Sequence, residues 1–315
     1  MRSHILAFSA LLILSSLLPI TTLALENKPL VVCTTSVLAS IVEDLAGDQV
    51  VVEIIASPAV CPGHYDVKPS DIDAFKRASL ILAHGFEPWV DDLLQASQSE
   101  AAVVYIKGPW NTPSLLKARY QAVSQALSEY LGIDTSAKLE DCLNSIDEVD
   151  AYLKEVAQSS GFADMPVVCM LWQKSFIEYL GFKVVAYYGP PEMVSAQQYE
   201  SIIANATQSG AKLVIDNLQS GVDLGNKIAS EIGGVEVALS NFPKIAPELS
   251  NVTAVMKWNA EKLSKAVENL ELLSEISSLK AQLNTWVTAT TVSSIIAVAL
   301  FIVCLAMYTK LKGRK

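Results

Sequence analysis

The chain has 315 residues, a net charge of −10 and 51% hydrophobic residues. That length allows two medium domains, each burying its own core. The acidic balance and the lack of basic patches exclude phosphate-backbone recognition, so no nucleic-acid partner is expected.

Both termini carry membrane-type signals. Arg2, the apolar run 5–20 and the small-residue exit Thr22-Leu23-Ala24 predict a secretory signal peptide over residues 1–24. At the other end, 286–308 contains no charge and is long enough to cross a bilayer, which takes about 20 residues. Trp286 and Tyr308 stand at its edges, and Lys310, Lys312, Arg314 and Lys315 follow. The positive-inside tendency then puts a basic tail, 309–315, in the cytoplasm and everything before Trp286 outside. The expectation is a single-pass protein of the cell membrane with its ectodomain on the extracellular face. Cys33, Cys61, Cys142 and Cys169 fall in that ectodomain, where disulfides are permitted. Asn205-Ala-Thr and Asn251-Val-Thr are glycosylation acceptors by pattern.

Between the ends, short apolar runs alternate with amphipathic segments. Strands are predicted at 30–33, 50–56, 80–84 and 102–106, with helices at 36–46, 70–78 and 87–96 between them. Helical patterns follow at 114–131 and 137–158, and the second has no strand after it until Val167. The alternation then restarts, with strands at 167–171, 183–187, 212–216 and 235–239 and helices at 173–180, 196–208 and 222–232. A final helix begins near Thr253. Repeated βα units argue parallel sheets covered by helices. The fold class is therefore α/β: two βα lobes with mainly parallel four-stranded sheets joined by a long linking helix, plus a C-terminal transmembrane helix. The boundaries read as 25–136 for the first lobe, 137–160 for the linker, 161–270 for the second lobe, 271–285 for a helical stalk and 286–308 for the span.

One stretch, Cys61-Pro-Gly-His-Tyr-Asp-Val-Lys-Pro-Ser-Asp71, leaves a predicted strand and enters a helix, with Ser70 and Asp73 as the start signal. Loops at the C-terminal ends of parallel strands are where open α/β sheets place ligands. Residues just past the strand ends are Cys33, Cys61, His64, His84, Glu87 and Trp110 in the first lobe, and Cys169, Trp172, Glu192, Asp216, Asn217 and Asn241 in the second. In a two-lobed protein those loops face one another across a cleft. Trp89, Trp172 and Trp258 read as packing residues of the cores or the lobe joint. Pro190-Pro191 stiffens the loop that carries Glu192. No phosphate loop, nucleophile elbow or H-E-x-x-H helix is present, so no enzyme is indicated.

Four motifs stand in order over 30–269: Val31-Val-Cys-Thr-Thr-Ser-Val-Leu; Tyr65 with Pro69-Ser-Asp71; Glu87-Pro-Trp89; and Met256-Lys-Trp-Asn259. In these the chain resembles the zinc- and manganese-binding solute-binding proteins of ABC importers. The resemblance implies a divalent transition metal as cargo, zinc first, with manganese or iron as alternatives. It also implies an ABC permease with its cytoplasmic ATPase as partners, and no catalytic cofactor. The family's first histidine ligand falls on Gly63, with His64 beside it, and its second near Gly108, where no histidine stands. The third ligand falls on or beside Glu192, and the fourth, an Asp, near Asn241. A tetrahedral zinc site takes imidazole, thiolate or carboxylate, so an amide there is a departure. The metal-ligand set expected from the sequence is His64 and Glu192, with Asn241, His84 and Cys61 as further candidates. Asp216 could stand in for Asn241, and sulfur from Cys61 with Cys33 or Cys169 could complete a soft site. The alternative for those cysteines is a Cys33–Cys61 disulfide between neighbouring strands. Two other functions remain open: binding of a metal chelate or small organic ligand on the same scaffold, and surface adhesion.

Overall fold

The computed structural model describes residues 28–312, so the predicted signal peptide, 1–24, and the tail residues 313–315 lie outside the described residues. The apolar runs form the expected strands: β1 (Leu30–Cys33), β2 (Val51–Ile54), β3 (Leu80–Ala83) and β4 (Ala102–Tyr105) make one parallel sheet of order β2-β1-β3-β4. A second parallel sheet, of order β6-β5-β7-β8, contains β5 (Pro166–Met170), β6 (Lys183–Tyr188), β7 (Leu213–Asn217) and β8 (Val235–Leu239). Each lobe is thus a four-stranded parallel sheet, and each strand pair is bridged by a helix, as parallel connections require.

The two-residue period of a strand decides which face each residue buries. In the first sheet, Val31, Cys33, Leu80 and Leu82 point inward to a core they share with α1 (Ser36–Ala46), α4 (Pro113–Leu131) and α5 (Ser136–Ser159). Their neighbours Val32, Ile81 and Ala83 point outward, onto Phe75 of α2 (Pro69–Arg77) and Val90 and Leu93 of α3 (Val90–Ser97). The second sheet repeats this plan. Val167, Cys169, Leu213 and Ile215 enter the shared core, while Val168, Met170 and Val214 face α7 (Ala196–Ser209) and α8 (Asp223–Ile232). The short helix α6 (Lys174–Tyr179) sends Phe176 and Ile177 to the inner side.

The inner core runs without a break from Val31 to Val267 and so belongs to both lobes. Helix α5 and the first part of α9 (Val252–Lys312) lie side by side along it. Two lobes that share a packed core cannot swing as freely as lobes on loop hinges, because close-packed interiors yield little. Helix α9 leaves the core after Leu270, and every residue from Glu271 to Lys310 is exposed. Within it lies the one stretch, among the described residues, long and apolar enough to cross a membrane.

Most element ends shift by one to three residues from the sequence reading, and two helix starts do so for side-chain reasons. The helix expected from 87 starts at Val90, because Glu87 is used as an acceptor in the loop before it. The helix expected to start on Ser70 and Asp73 has Pro69 in its first turn, and Asp71 accepts the Lys68 N–H at 2.7 Å. Asp73 instead pairs with Arg77 one turn later, at 2.8 Å.

Candidate metal site

In the first lobe, the chain after β2 makes a short turn, Pro62–His64, held from behind. Trp89 Nε1 donates to the Pro62 carbonyl at 2.7 Å, and the Tyr65 ring leans on Trp89 with centroids 5.4 Å apart. Tyr65 Oη donates to Asp71 at 2.9 Å, tying the turn to the start of α2. In the second lobe, Pro190 and Pro191 set a matching turn, Pro191–Met193, after β6. His64 and Glu192 project from these turns toward one another, with Nε2 and Oε1 3.3 Å apart. Their side chains are 65% and 54% exposed, so the pair sits at the rim, open to solvent and to an arriving ion.

His84 lies deeper and is differently engaged. It is 2% exposed and stacks on Trp110 with ring centroids 4.4 Å apart. Its Nδ1 faces the Ile106 carbonyl at 3.3 Å and its Nε2 faces Thr35 Oγ1 at 2.9 Å. A carbonyl only accepts, so Nδ1 carries the proton and Nε2 accepts from the threonine. Burial pushes the imidazole down to about 4, against the opposing pull of Glu87, and keeps it neutral at pH 7. Both nitrogens are therefore committed, and a metal would have to displace Thr35 to reach Nε2.

Glu87 is a hub. One carboxylate oxygen accepts from Thr34 Oγ1 at 2.5 Å and the His84 N–H at 3.0 Å. The other accepts from the Gly85 and Phe86 N–H groups at 2.8 and 3.0 Å. Burial pushes this carboxyl up, but the donors from the Thr34 hydroxyl and the loop N–H groups outweigh it and hold it below the usual range.

The lobes meet through a set of polar contacts in the cleft. Trp110 Nε1 donates to the Asn241 carbonyl at 3.0 Å, and Asn111 Nδ2 to the Trp172 carbonyl at 3.0 Å. Gln219 Nε2 reaches the Pro58 carbonyl at 3.2 Å, and its Oε1 accepts the Asn241 N–H at 3.2 Å. Asn259 then clamps the strand end, accepting the Ser240 N–H at 3.0 Å and donating to its carbonyl at 2.8 Å. At the opposite edge Lys244 Nζ bonds Glu43 at 2.5 Å. Asn241 Nδ2 donates to Trp172 at 3.3 Å, while Asn241 Oδ1 is buried with no donor among the described residues.

Near Gly108, a Cβ would stand 3.4 Å from the guanidinium of Arg119. A fixed positive charge thus stands beside the place where the family's second histidine falls, and it opposes a second cation. Trp172, expected to pack in a core or at the lobe joint, stands at the joint, where its carbonyl accepts from Asn111 and Asn241, while the residue is 45% exposed.

The cysteines are not paired with one another. Cys33, Cys61, Cys142 and Cys169 are all free, so the Cys33–Cys61 disulfide is absent. Cys33 and Cys169 are fully buried; burial pushes the first thiol up strongly and the second up to about 12, so neither is poised as a thiolate. Among the described residues no group of three or more His, Cys, Asp or Glu side chains is arranged to hold a metal. His64 and Glu192 are brought together as a pair, and among the described residues no third His, Cys, Asp or Glu side chain completes a metal-holding group with them.

Asp216 turns from the cleft into the second lobe. Its Oδ1 accepts the hydroxyl of Tyr188, and Gly225 on α8 leaves room for Oδ2, which a Cβ there would meet at 1.8 Å. Asp216 Oδ2 and Glu236 Oε1 are both buried without an ordinary donor, and one proton shared between the two carboxyls satisfies both. Burial pushes Asp216 up to about 6, and burial together with the Asp216 charge pushes Glu236 up to about 7. A carboxyl whose folded pKa is raised binds its proton more tightly when folded. Its contribution is therefore present at about pH 4 and is lost as pH rises through about 6 and 7. Asp216→Asn/Glu236→Gln is expected to flatten the decline in stability between those limits in urea titrations. An unchanged slope would rule the pair out as its source.

Sequence reading missed Thr34, Thr35, Asn111, Gln219, Ser240 and Asn259. The motif residues Thr34, Thr35 and Asn259 lie in stretches that carry the resemblance, and that was the only available signal.

Two parallel βα lobes on one shared core, with ligand-type side chains on facing loops, are the architecture of the metal-binding solute-binding proteins of ABC importers. The chain belongs to the ZnuA family, zinc-uptake complex component A, periplasmic, which it matches over residues 31–266. Members are non-enzymatic transport components that bind metal outside the cytoplasm and work with an ABC permease and ATPase. A crystal structure of ZnuA is similar at 18% identity and TM-score 0.63, covering 76% of this chain and 100% of that one. The periplasmic zinc-binding protein TroA from Treponema pallidum gives 18% identity and TM-score 0.66, covering 76% and 99%. A Mn-bound periplasmic metal-binding protein from Candidatus Liberibacter asiaticus gives 15% and 0.67, covering 76% and 100%. No curated protein sequence matches the chain significantly.

Proposed function

We propose that this chain is the membrane-anchored substrate-binding component of an ABC importer, and that it captures a transition-metal ion of the zinc or manganese class between its lobes. The observation that carries this reading is the His64–Glu192 pair, one ligand-type side chain from each lobe, 3.3 Å apart and open to solvent. Imidazole and carboxylate together suit zinc and manganese. The domain limits are those read from the sequence, with 286–308 as the anchor and 271–285 as the stalk. Cys61, on the same turn as His64, and Asn241 and His84, deeper in the cleft, are the further candidate ligands. Release to the permease would follow a modest shift of the lobes, since a shared core limits larger ones.

A second reading has its own support: cargo that brings its own coordination, a metal chelate or small organic ligand. Arg119 beside Gly108 disfavours a bare cation in the deep cleft, and the buried Asn241 Oδ1 offers an acceptor to a ligand donor. Competitive titration of the full chain with zinc and manganese separates the two. Stoichiometric binding that weakens tenfold or more in Glu192→Ala and His64→Ala, about 1.4 kcal/mol per tenfold, supports ion capture. Binding of neither ion under reducing or oxidising conditions would end that reading in favour of a complexed cargo.

A further inference from the structure

Outside the lobes, the exposed part of α9 carries an ordered seam. Leu272, Ile276, Leu279, Leu283 and Trp286 recur at alternating spacings of four and three, and all five are exposed, from 46% to 70%. The same register continues through Thr290, Ser293, Ala297 and Leu300 to Cys304. At about 100° per residue, Leu272 to Ala297 fall within an arc of about 100° on the helix surface. No element of this chain covers that arc among the described residues, since α9 has already left the core.

We infer that the stalk of α9 pairs in parallel with the stalk of a second copy of this chain. In heptad terms Ile276 and Leu283 occupy the a positions, and Leu272, Leu279 and Trp286 the d positions. Ile276 at a with Leu272 and Leu279 at d is the pairing of a β-branched a with leucine d that favours two parallel strands, and Leu283 and Trp286 continue the apolar seam. The flanking charges fit the same partner: Glu275 at g faces Lys280 at e of the other helix, and two-fold symmetry makes that pair twice. Residue size along the seam changes where the solvent changes. Before Trp286 it is made of large apolar groups, which associate in water. From Thr290 to Ala297 it is made of small groups, Thr290, Ser293 and Ala297, that let helices approach closely in lipid, where apolar burial gives no drive. Anchoring in one bilayer also gives both copies the same orientation, which a parallel pair needs. The lipid half of the seam rests on the proposed anchor, whereas the stalk half does not.

The test is the protein mass of the full chain in mild detergent, by light scattering, beside carbonate extraction of membranes that carry it. Wild type is expected at twice the mass of one chain, and Leu279→Glu/Leu283→Glu at the mass of one. Ala281→Glu, on the opposite face, should stay paired. Lys280→Glu should weaken pairing, and Glu275→Lys with Lys280→Glu should restore it. All of these positions are exposed, so an unchanged circular dichroism spectrum is expected throughout. A wild-type mass of one chain, a larger assembly indifferent to the seam, or equal disruption by Ala281→Glu would overturn the inference. Monomers that resist carbonate would overturn the pairing and leave the anchor. Pairs released by carbonate would support the stalk seam and end the anchor.

Discussion

Glu87→Ala is expected to lower the unfolding free energy by ~3–5 kcal/mol, because it strands several hydrogen-bond donors at once. Four donors converge on this carboxylate: the Thr34 hydroxyl and the N–H groups of His84, Gly85 and Phe86. Alanine leaves those inside the loop with no acceptor, and each unmet buried donor costs on the order of 1–3 kcal/mol less any water that enters. Glu87→Gln should fall between wild type and alanine, since it keeps one oxygen but turns an NH2 toward two of the donors. Chemical unfolding at pH 7 measures both. A loss below about 1 kcal/mol in Glu87→Ala would mean that water replaces the carboxylate and that the loop is not built on it.

Trp110→Ala should cost ~3–5 kcal/mol as well, here through a cavity at the lobe junction. The indole stacks on His84, tilts against Phe242 at 5.7 Å and crosses the cleft with its hydrogen bond to Asn241. Trp110→Phe keeps one ring of the stack but removes the N–H and part of the indole's volume, so its loss should be about 1 kcal/mol for the hydrogen bond plus a smaller cavity. The gap between the two variants in thermal unfolding apportions packing and polar contact. If Trp110→Phe is as damaging as alanine, the hydrogen bond across the cleft, rather than the ring, holds the lobes together.

All eight strands were legible in the sequence because each is a short apolar run between polar turns, and parallel strands buried on both faces have that signature. Element ends were less legible. Glu87 looks like an ordinary first-turn acid, yet it folds back on its own loop, which no local rule signals. In the candidate site, His64 and Glu192 could be singled out because their residue types suit a metal and prolines mark both turns. The deep cleft could not be read this way. Its acceptors are main-chain carbonyls of Pro58, Trp172 and Asn241, and any residue type supplies a carbonyl. The cysteines misled for a related reason. β1 and β2 are neighbours as expected, but Cys33 faces the inner core while Cys61 lies seven residues beyond the end of β2.

Helix α9 begins against the sheet of the second lobe and continues unbroken into the segment proposed to cross the membrane. The exposed stretch 271–285 is about 22 Å long at 1.5 Å per residue. With that anchor in place, the cleft rides at a fixed height above the lipid headgroups, and its search for a permease becomes lateral drift in two dimensions. Delivery would then depend on how crowded the two proteins are within one sheet of membrane, and dilution of the surrounding fluid would not slow it.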